Sequence, residues 1–341
     1  MSKTAVVILN WNGRKLLEQF LPSVIKYTMS ESVEIVIADN NSDDDSVSFV
    51  SQTYPNIKLI CLEDNYGYAE GYNRALRQIE ADYFVLLNSD VEVTDNWLTP
   101  LVNYLDVQAE VVAIQPKILA QKNKMYFEYA GASGGFIDKY GYPFCRGRIF
   151  SEVEQDRGQY DTIKDIFWAS GACLMIRSFD FFDVGGLDAS FFAHMEEIDL
   201  CWRLNARGKR IVCLSSSVVY HVGGATLAEE SPRKTFLNFR NNLLMLYKNL
   251  PKEMLYLVLN KRMCLDYLAA FKYLFTGKFS NAKAVYKAHK EFRRIKKSYL
   301  EKRQINLDKT TCYSIKTIYK KSILVDYYFK RNKLFSELFN F

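Results

Sequence analysis

Short apolar runs rich in β-branched residues end in polar clusters, and apolar residues at helical spacing fill the gaps between them. AVVILN (5–10) runs into Asn10-Trp11-Asn12, SVEIVIA (32–38) into Asp39-Asn40-Asn41, and YFVLLN (83–88) into Asn88-Ser89-Asp90. Further strands are expected over 57–62 and 111–115. Leu16, Leu17, Phe20, Leu21, Val24 and Ile25 recur at helical spacing, and helices are also expected over 44–54, 68–79 and 97–105. Strands alternating with helices specify an α/β/α sandwich on a largely parallel sheet. Such sheets bind ligands beyond the carboxyl ends of their strands, and the polar clusters gather at that edge.

The rest of the chain is less uniform. Residues 116–165 are rich in glycine and aromatics and read as irregular, and a short strand is expected at 218–220. From 236 onward the pattern is helical, with a long helix over 254–275. Lys261, Arg262, Asp266 and Lys272 interrupt that helix. Its longest uncharged run is seven residues, too short to span a bilayer. Residues 251–341 hold 21 Lys and Arg against 7 Asp and Glu, which leaves 24 basic and 32 acidic residues in 1–250. A basic tail on an acidic body suggests an anionic partner. With 17 aromatic residues in those 91 positions, the tail is expected to lie on a membrane surface rather than on nucleic acid. Residues 1–235 are therefore expected to form one domain, divided near 115, and 236–341 a helical extension. The opening MSKTAVVILNWNG lacks the charged head and long apolar run of a signal peptide. The seven cysteines form no CxxC pair. Both features fit a cytoplasmic chain with reduced, buried thiols.

Several residues offer chemistry. Asp39 follows a strand and could accept the N3–H of a uracil or thymine, or could cap the next helix. Asp90 could hold Mg²⁺ or Mn²⁺ against two phosphates, or cap a turn. The glycines of Gly67-Tyr68-Ala69-Glu70-Gly71 permit close backbone approach near a helix start, yet the segment is neither GxGxxG nor a Walker A loop. His194-Met195-Glu196-Glu197-Ile198-Asp199 packs three acids into four positions. A carboxylate at a helix N-terminus stays ionised, as a base must, although an Asp199 or Glu196 salt bridge to Arg203 would serve as well. His221 could ligate a metal or be structural.

These segments, in order, resemble the family-2 inverting glycosyltransferases of GT-A fold, especially their rhamnosyltransferase-like branch. They are VVILNWNG (6–13), IADNNSDDDS (37–46), DNYGYAEGYNRAL (64–76), LLNSDVEV (86–93), WASGACLMIR (168–177), VGGLDASFFAHMEEIDLCWRLNARG (184–208) with VVYHVGG (218–224), and RNNLLMLYKNLP (240–251). The resemblance covers about residues 4–251. It implies that Leu9, Asn10 and Asp39 bind the nucleoside, and that Asn65, Gly67 and Asn73 lie beside the diphosphate and sugar. Asn88, Ser89 and Asp90 stand where the family has its D-x-D-like motif, with His221 joining Asp90 on the metal. Trp168, Gly171 and Ala172 would line the sugar and acceptor region. Glu196 is the first acid of the family's E-D pair and Glu197 the catalytic base. Two departures stand out: only one acid remains in the metal motif, and the base is a glutamate with one extra methylene.

The resemblance implies a divalent Mn²⁺ or Mg²⁺ cofactor and a dTDP- or UDP-linked donor carrying rhamnose or a hexose. The acceptor would be a glycan or lipid-linked glycan in cell-surface polysaccharide synthesis. A nicotinamide oxidoreductase is disfavoured by the missing GxGxxG after the first strand. A catalytically degenerate sugar- or nucleic-acid-binding protein is the remaining alternative, disfavoured by the acids at 90 and 197.

Overall fold

A computed structural model describes residues 2–28, 30–223 and 231–338. The strands are β1 (Thr4–Asn10), β2 (Val33–Asp39), β3 (Lys58–Cys61), β4 (Tyr83–Asn88), β5 (Val91–Val93), β6 (Val111–Ala120), β7 (Asn123–Phe127), β8 (Gly135–Asp138), β9 (Pro143–Cys145), β10 (Arg148–Ile149), β11 (Glu152–Val153), β12 (Lys164–Asp165), β13 (Cys173–Arg177), β14 (Arg210–His221) and β15 (Ile318–Tyr319). The helices are α1 (Arg14–Thr28), α2 (Ser46–Thr53), α3 (Gly67–Leu76), α4 (Thr99–Val107), α5 (Ser178–Asp183), α6 (Glu196–Ala206), α7 (Pro232–Asn249), α8 (Lys252–Phe275), α9 (Phe279–Ile295), α10 (Leu300–Asp308) and α11 (Ile323–Tyr328).

A 10-stranded sheet forms the centre, in the order β12-β14-β6-β13-β4-β1-β2-β3 with β5 and β7 paired at its side. The sheet is mixed. The run β3-β2-β1-β4 is parallel, as expected, but β13 enters antiparallel between β4 and β6. Alternation of side chains across the pleat separates two cores. Val6 and Ile8 of β1 face Leu17, Leu21 and Val24 of α1 on one side. Ala5 and Val7 face Tyr72 and Ala75 of α3 on the other. Each Val or Leu buried this way contributes about 1.5–3 kcal/mol.

Elsewhere the sequence reading needs correction. The strand expected at 218–220 is the end of the 12-residue β14, which pairs with β6 through a register shift between Leu214 and Val218. The irregular 116–165 region contains a five-stranded sheet, β11-β10-β9-β8-β15. Its last strand comes from the C-terminal region, so the segment beyond 236 is helical but also returns to the body. Asp138 reinforces this return by accepting the Ile323 N–H at 3.0 Å. Four cysteines are buried, but Cys61 and Cys264 are exposed and Cys312 is partly so.

Candidate active site

The carboxyl ends of β1, β2 and β4 bring the first polar clusters together. Asn10 Nδ2 donates to Asp39 Oδ1 at 2.9 Å, and Ser42 donates its hydroxyl to Oδ1 and its N–H to Oδ2. Asp39 thus caps the turn after β2. It is 2% exposed and Asn10 is 0% exposed, so Asn10 positions Asp39 rather than facing solvent. Leu9 packs on α3, where a side chain at Gly71 would come within 3.0 Å of it. Asn40 stitches the β2 end to the next loop: its Nδ2 reaches Asn65 Oδ1 and the Gly67 carbonyl, both at 3.1 Å. The sequence did not single out Trp11, which stands 47% exposed just beyond the end of β1.

Two expectations for the glycine loop meet a different geometry. The Phe192 carbonyl accepts the N–H groups of Tyr68 and Ala69 at the start of α3, so those amides are already engaged. Gly67 has φ +73°, and a side chain there would strike the Phe192 ring at 2.5 Å. Asn73 has both ends of its amide on Leu187, donating to its carbonyl at 2.8 Å and accepting its N–H at 2.9 Å. It clamps the turn around 185–188. Trp168 is likewise buried, with its indole against Gly135 and its N–H donated to Phe136 O.

At the β4 end, Asp90 Oδ1 lies 3.1 Å from His221 Nε2 and Glu128 Oε1 lies 3.3 Å from His221 Nδ1. The second contact is an ion-pair distance without hydrogen-bond alignment. All three side chains are buried. Burial opposes the His221 charge, but Asp90 and Glu128 outweigh it and push its pKa up to about 10. Asn88 Nδ2 lies 3.5 Å from His221 Nε2. Ser89 faces Gly13, from whose missing side chain its hydroxyl would be 3.8 Å away. Gly224, the end of the VVYHVGG match, lies outside the described residues.

Asp90 and His221 would fit a divalent cation only where the ion displaces the His221 Nε2 proton, since a ligating imidazole is neutral. Two ligands about 2.1 Å from one ion sit about 3 Å apart, which is the Asp90–His221 separation. Glu128, 3.3 Å from Nδ1, would then stand behind the ligating ring as a charge partner. Among the described residues no group of three or more His, Cys, Asp or Glu is arranged to hold a metal. The protein would therefore supply two ligands, leaving the others to phosphate and water as Mg²⁺-like ions favour.

The acid cluster sits at the start of α6. Phe192, His194 and Met195 all have left-handed φ, between 65° and 72°, at a cost on the order of 1–3 kcal/mol each. Helix α7 holds this loop: Asn241 Nδ2 donates to the carbonyls of Phe191, Ala193 and His194, and Arg240 to those of Ser190 and Phe191. Asp199 is fully buried and occupied by Arg203, Lys248 and Asn249 at 2.7–3.0 Å. The salt-bridge reading therefore describes Asp199, and among the described residues it leaves Glu196 and Glu197 without a basic partner and one oxygen of each without a hydrogen-bond partner. Burial pushes Glu197 up to about 7, against the N–H groups of Glu197 and Ile198. Burial, then the charges of Glu197 and Asp199, hold Glu196 well above the carboxylate range. Burial thus makes both acids of the pair hold a proton more tightly than free carboxyls do.

A short bridge joins the acids to the β4 end. Tyr68, whose phenol feels the charge of both glutamates, donates to Gly171 O at 2.7 Å. The next residue, Ala172, accepts the Asn88 N–H at 3.0 Å.

A GT-A glycosyltransferase is the class this architecture defines. S. aureus TarS (residues 1–349, with UDP-GlcNAc) superposes with a TM-score of 0.58 at 15% identity, over 98% of this chain and 93% of that one. GalNAc-T7 with UDP, GalNAc and Mn²⁺ gives 0.56 at 17% identity, over 73% and 48%. The chain belongs to glycosyl transferase family 2, which it matches over residues 5–178. It is 27% identical over 231 residues to the N-acetylglucosaminyl-diphospho-decaprenol L-rhamnosyltransferase of Mycobacterium tuberculosis, covering 63% of this chain and 75% of that protein. It is 25% identical to rhamnosyltransferase WbbL of Escherichia coli K12 over 189 residues, 53% of this chain and 69% of that protein.

Proposed function

We propose that this glycosyltransferase moves rhamnose or a hexose from a dTDP- or UDP-linked donor to a hydroxyl of a glycan or lipid-linked glycan, with inversion, at the cytoplasmic face of a membrane. The observation that carries the reading is the acid pair at the start of α6. Asp199 is engaged by Arg203, Lys248 and Asn249, whereas Glu196 and Glu197 each keep an oxygen without a partner among the described residues, and burial lifts Glu197 to about 7, where it can take a proton near neutral pH. The rhamnosyltransferases among its relatives support the sugar and acceptor classes.

Trp11 offers a stacking surface for the nucleobase, and Asp39, fixed by Asn10 and Ser42, presents a carboxylate edge to it. Asp90 and His221 would hold a divalent cation, which neutralises charge developing on the leaving diphosphate. Glu197 removes the acceptor proton as the acceptor oxygen attacks the anomeric carbon from the face opposite the diphosphate. Gly171 and Ala172 position that region against Tyr68.

Two experiments test this. A thermal-shift panel of dTDP- and UDP-sugars with Mn²⁺ identifies the donor, because a ligand at about 100 times its Kd stabilises the fold by about 2.7 kcal/mol. NMR of the product then reads the anomeric configuration, and retention would overturn the single displacement. For the cation, Glu128→Ala is expected to weaken Mn²⁺ binding about 10–100-fold, read by the free-Mn²⁺ EPR signal. Glu128→Gln, which keeps the shape but not the charge, should lose affinity as Glu128→Ala does if the charge is what matters. Unchanged Mn²⁺ affinity in Glu128→Ala would remove Glu128 from the site.

A further inference from the structure

Helices α8 and α9 form a hairpin joined at 276–278. Its inner faces are settled. Leu255, Val258, Arg262, Asp266 and Ala270 of α8 are buried, as are Ala282, Val285, Ala288, His289 and Phe292 of α9. A buried polar lock joins the two helices: Asp266 takes Arg262 on one oxygen and His289 on the other, both at 3.0 Å.

The outer faces differ sharply. On α8, Met254, Leu257, Lys261, Cys264, Leu268, Phe271 and Phe275 follow one another at steps of three and four, and all are exposed. Leu268 is 65% and Phe275 87% exposed. Phe279 extends the row at 67%. Single exposed apolar residues need no explanation, but a continuous stripe does. On α9 the outer row is Lys283, Lys287, Lys290 and Arg294, all exposed. From 278 to 297 the chain carries eight Lys and Arg against one acid, Glu291. Among the described residues no helix is long and apolar enough to cross a membrane.

We infer that this hairpin is the membrane-docking element, with the α8 stripe lying in the plane of an anionic phospholipid surface and the α9 row contacting its headgroups. An apolar row and a basic row on one helical hairpin supply the combination that binds acidic bilayers in plane. The basic neighbour argues for lipid over a second copy of the chain, since two like-charged rows would repel. The inference rests on the membrane placement proposed above and assigns its helices, face and lipid class.

The test is co-sedimentation with phosphatidylcholine vesicles, with and without phosphatidylglycerol. The full chain is expected to bind only the mixed vesicles and to be released by salt. Leu268→Glu/Phe271→Glu should lower the bound fraction about tenfold or more, and Lys283→Gln/Lys287→Gln/Lys290→Gln should remove the phosphatidylglycerol preference. Unchanged melting temperatures establish that both variants fold. No binding by the parent chain would overturn the membrane placement itself. Parent binding with unaffected variants would overturn only the hairpin. A parent dimer in sedimentation velocity that the α8 variant dissociates would assign the stripe to a second copy and sink the lipid reading. UDP and dTDP binding with Mn²⁺, measured on the same samples, reports the transferase reading separately.

Discussion

Glu197→Gln is expected to lower transfer about 10²–10⁴-fold and, at pH 8, to raise the melting temperature. Both effects come from one cause. Burial lifts the Glu197 carboxyl from 4.5 to about 7, so the folded protein binds that proton more tightly than the unfolded chain. The stability this gives is fully present below pH 4.5 and is lost as pH rises through 7. Above pH 7 the folded chain carries an ionised carboxylate in a poorly solvated site. A neutral amide escapes that cost, for which about 1.4 kcal/mol per tenfold change in proton affinity sets a ceiling of about 3 kcal/mol. The gain of Glu197→Gln over the parent should therefore appear between pH 4.5 and 7 and level off above. In the parent enzyme, kcat/KM should fall tenfold per pH unit below about pH 7 as the base becomes protonated. The measurements are product formation and thermal unfolding across pH 4–8. Full turnover in the variant would end the base assignment, and a stability difference independent of pH would refute the burial account.

Lys248→Met carries the second large effect, on stability. Lys248 is buried in α7 and reaches Asp188 at 2.6 Å and Asp199 at 2.7 Å. Burial opposes the Asp188 charge, but Lys248 and Lys302 outweigh it and hold that carboxyl far below its usual range. Methionine fills similar volume without the charge. Asp188 retains Lys302 and Asp199 retains Arg203, yet each loses a buried partner. Breaking a buried pair from one side costs about 3–5 kcal/mol. Chemical denaturation should show a drop of that size, with Mn²⁺ affinity little changed because Asp90 and His221 are not in this network. A drop below about 1 kcal/mol would show that Arg203 and Lys302 suffice.

The sequence showed most where a period was long and uninterrupted. Apart from the three-residue β5, which was not expected, the strands and helices from 4 to 107 fall close to their expected bounds because each has an apolar run long enough to show its period. Strand β14 was seen only at its end. Ser215, Ser216 and Ser217 interrupt its apolar pattern where the register shifts between Leu214 and Val218, so the pattern reads as two fragments. Two-residue strands such as β15 carry no period at all. Within the site, acids at a helix start can be read from spacing, and Glu196 and Glu197 were. Glu128 could not be, since its partner His221 is 93 positions away in the chain. It leaves only a faint trace, a lone acid in the aromatic stretch MYFEY. The match over 240–251 singled out Arg240 and Asn241 without revealing their task, because the carbonyls they hold are 47 to 50 residues away.

The Phe192 carbonyl, seated on the first amides of α3, ties the segment that carries the acids to the segment that follows β3. Neither can be remodelled alone. Grafting a foreign 186–195 loop would therefore also unseat the start of α3. Any redesign of that loop does better to vary residues that leave this one carbonyl where it is.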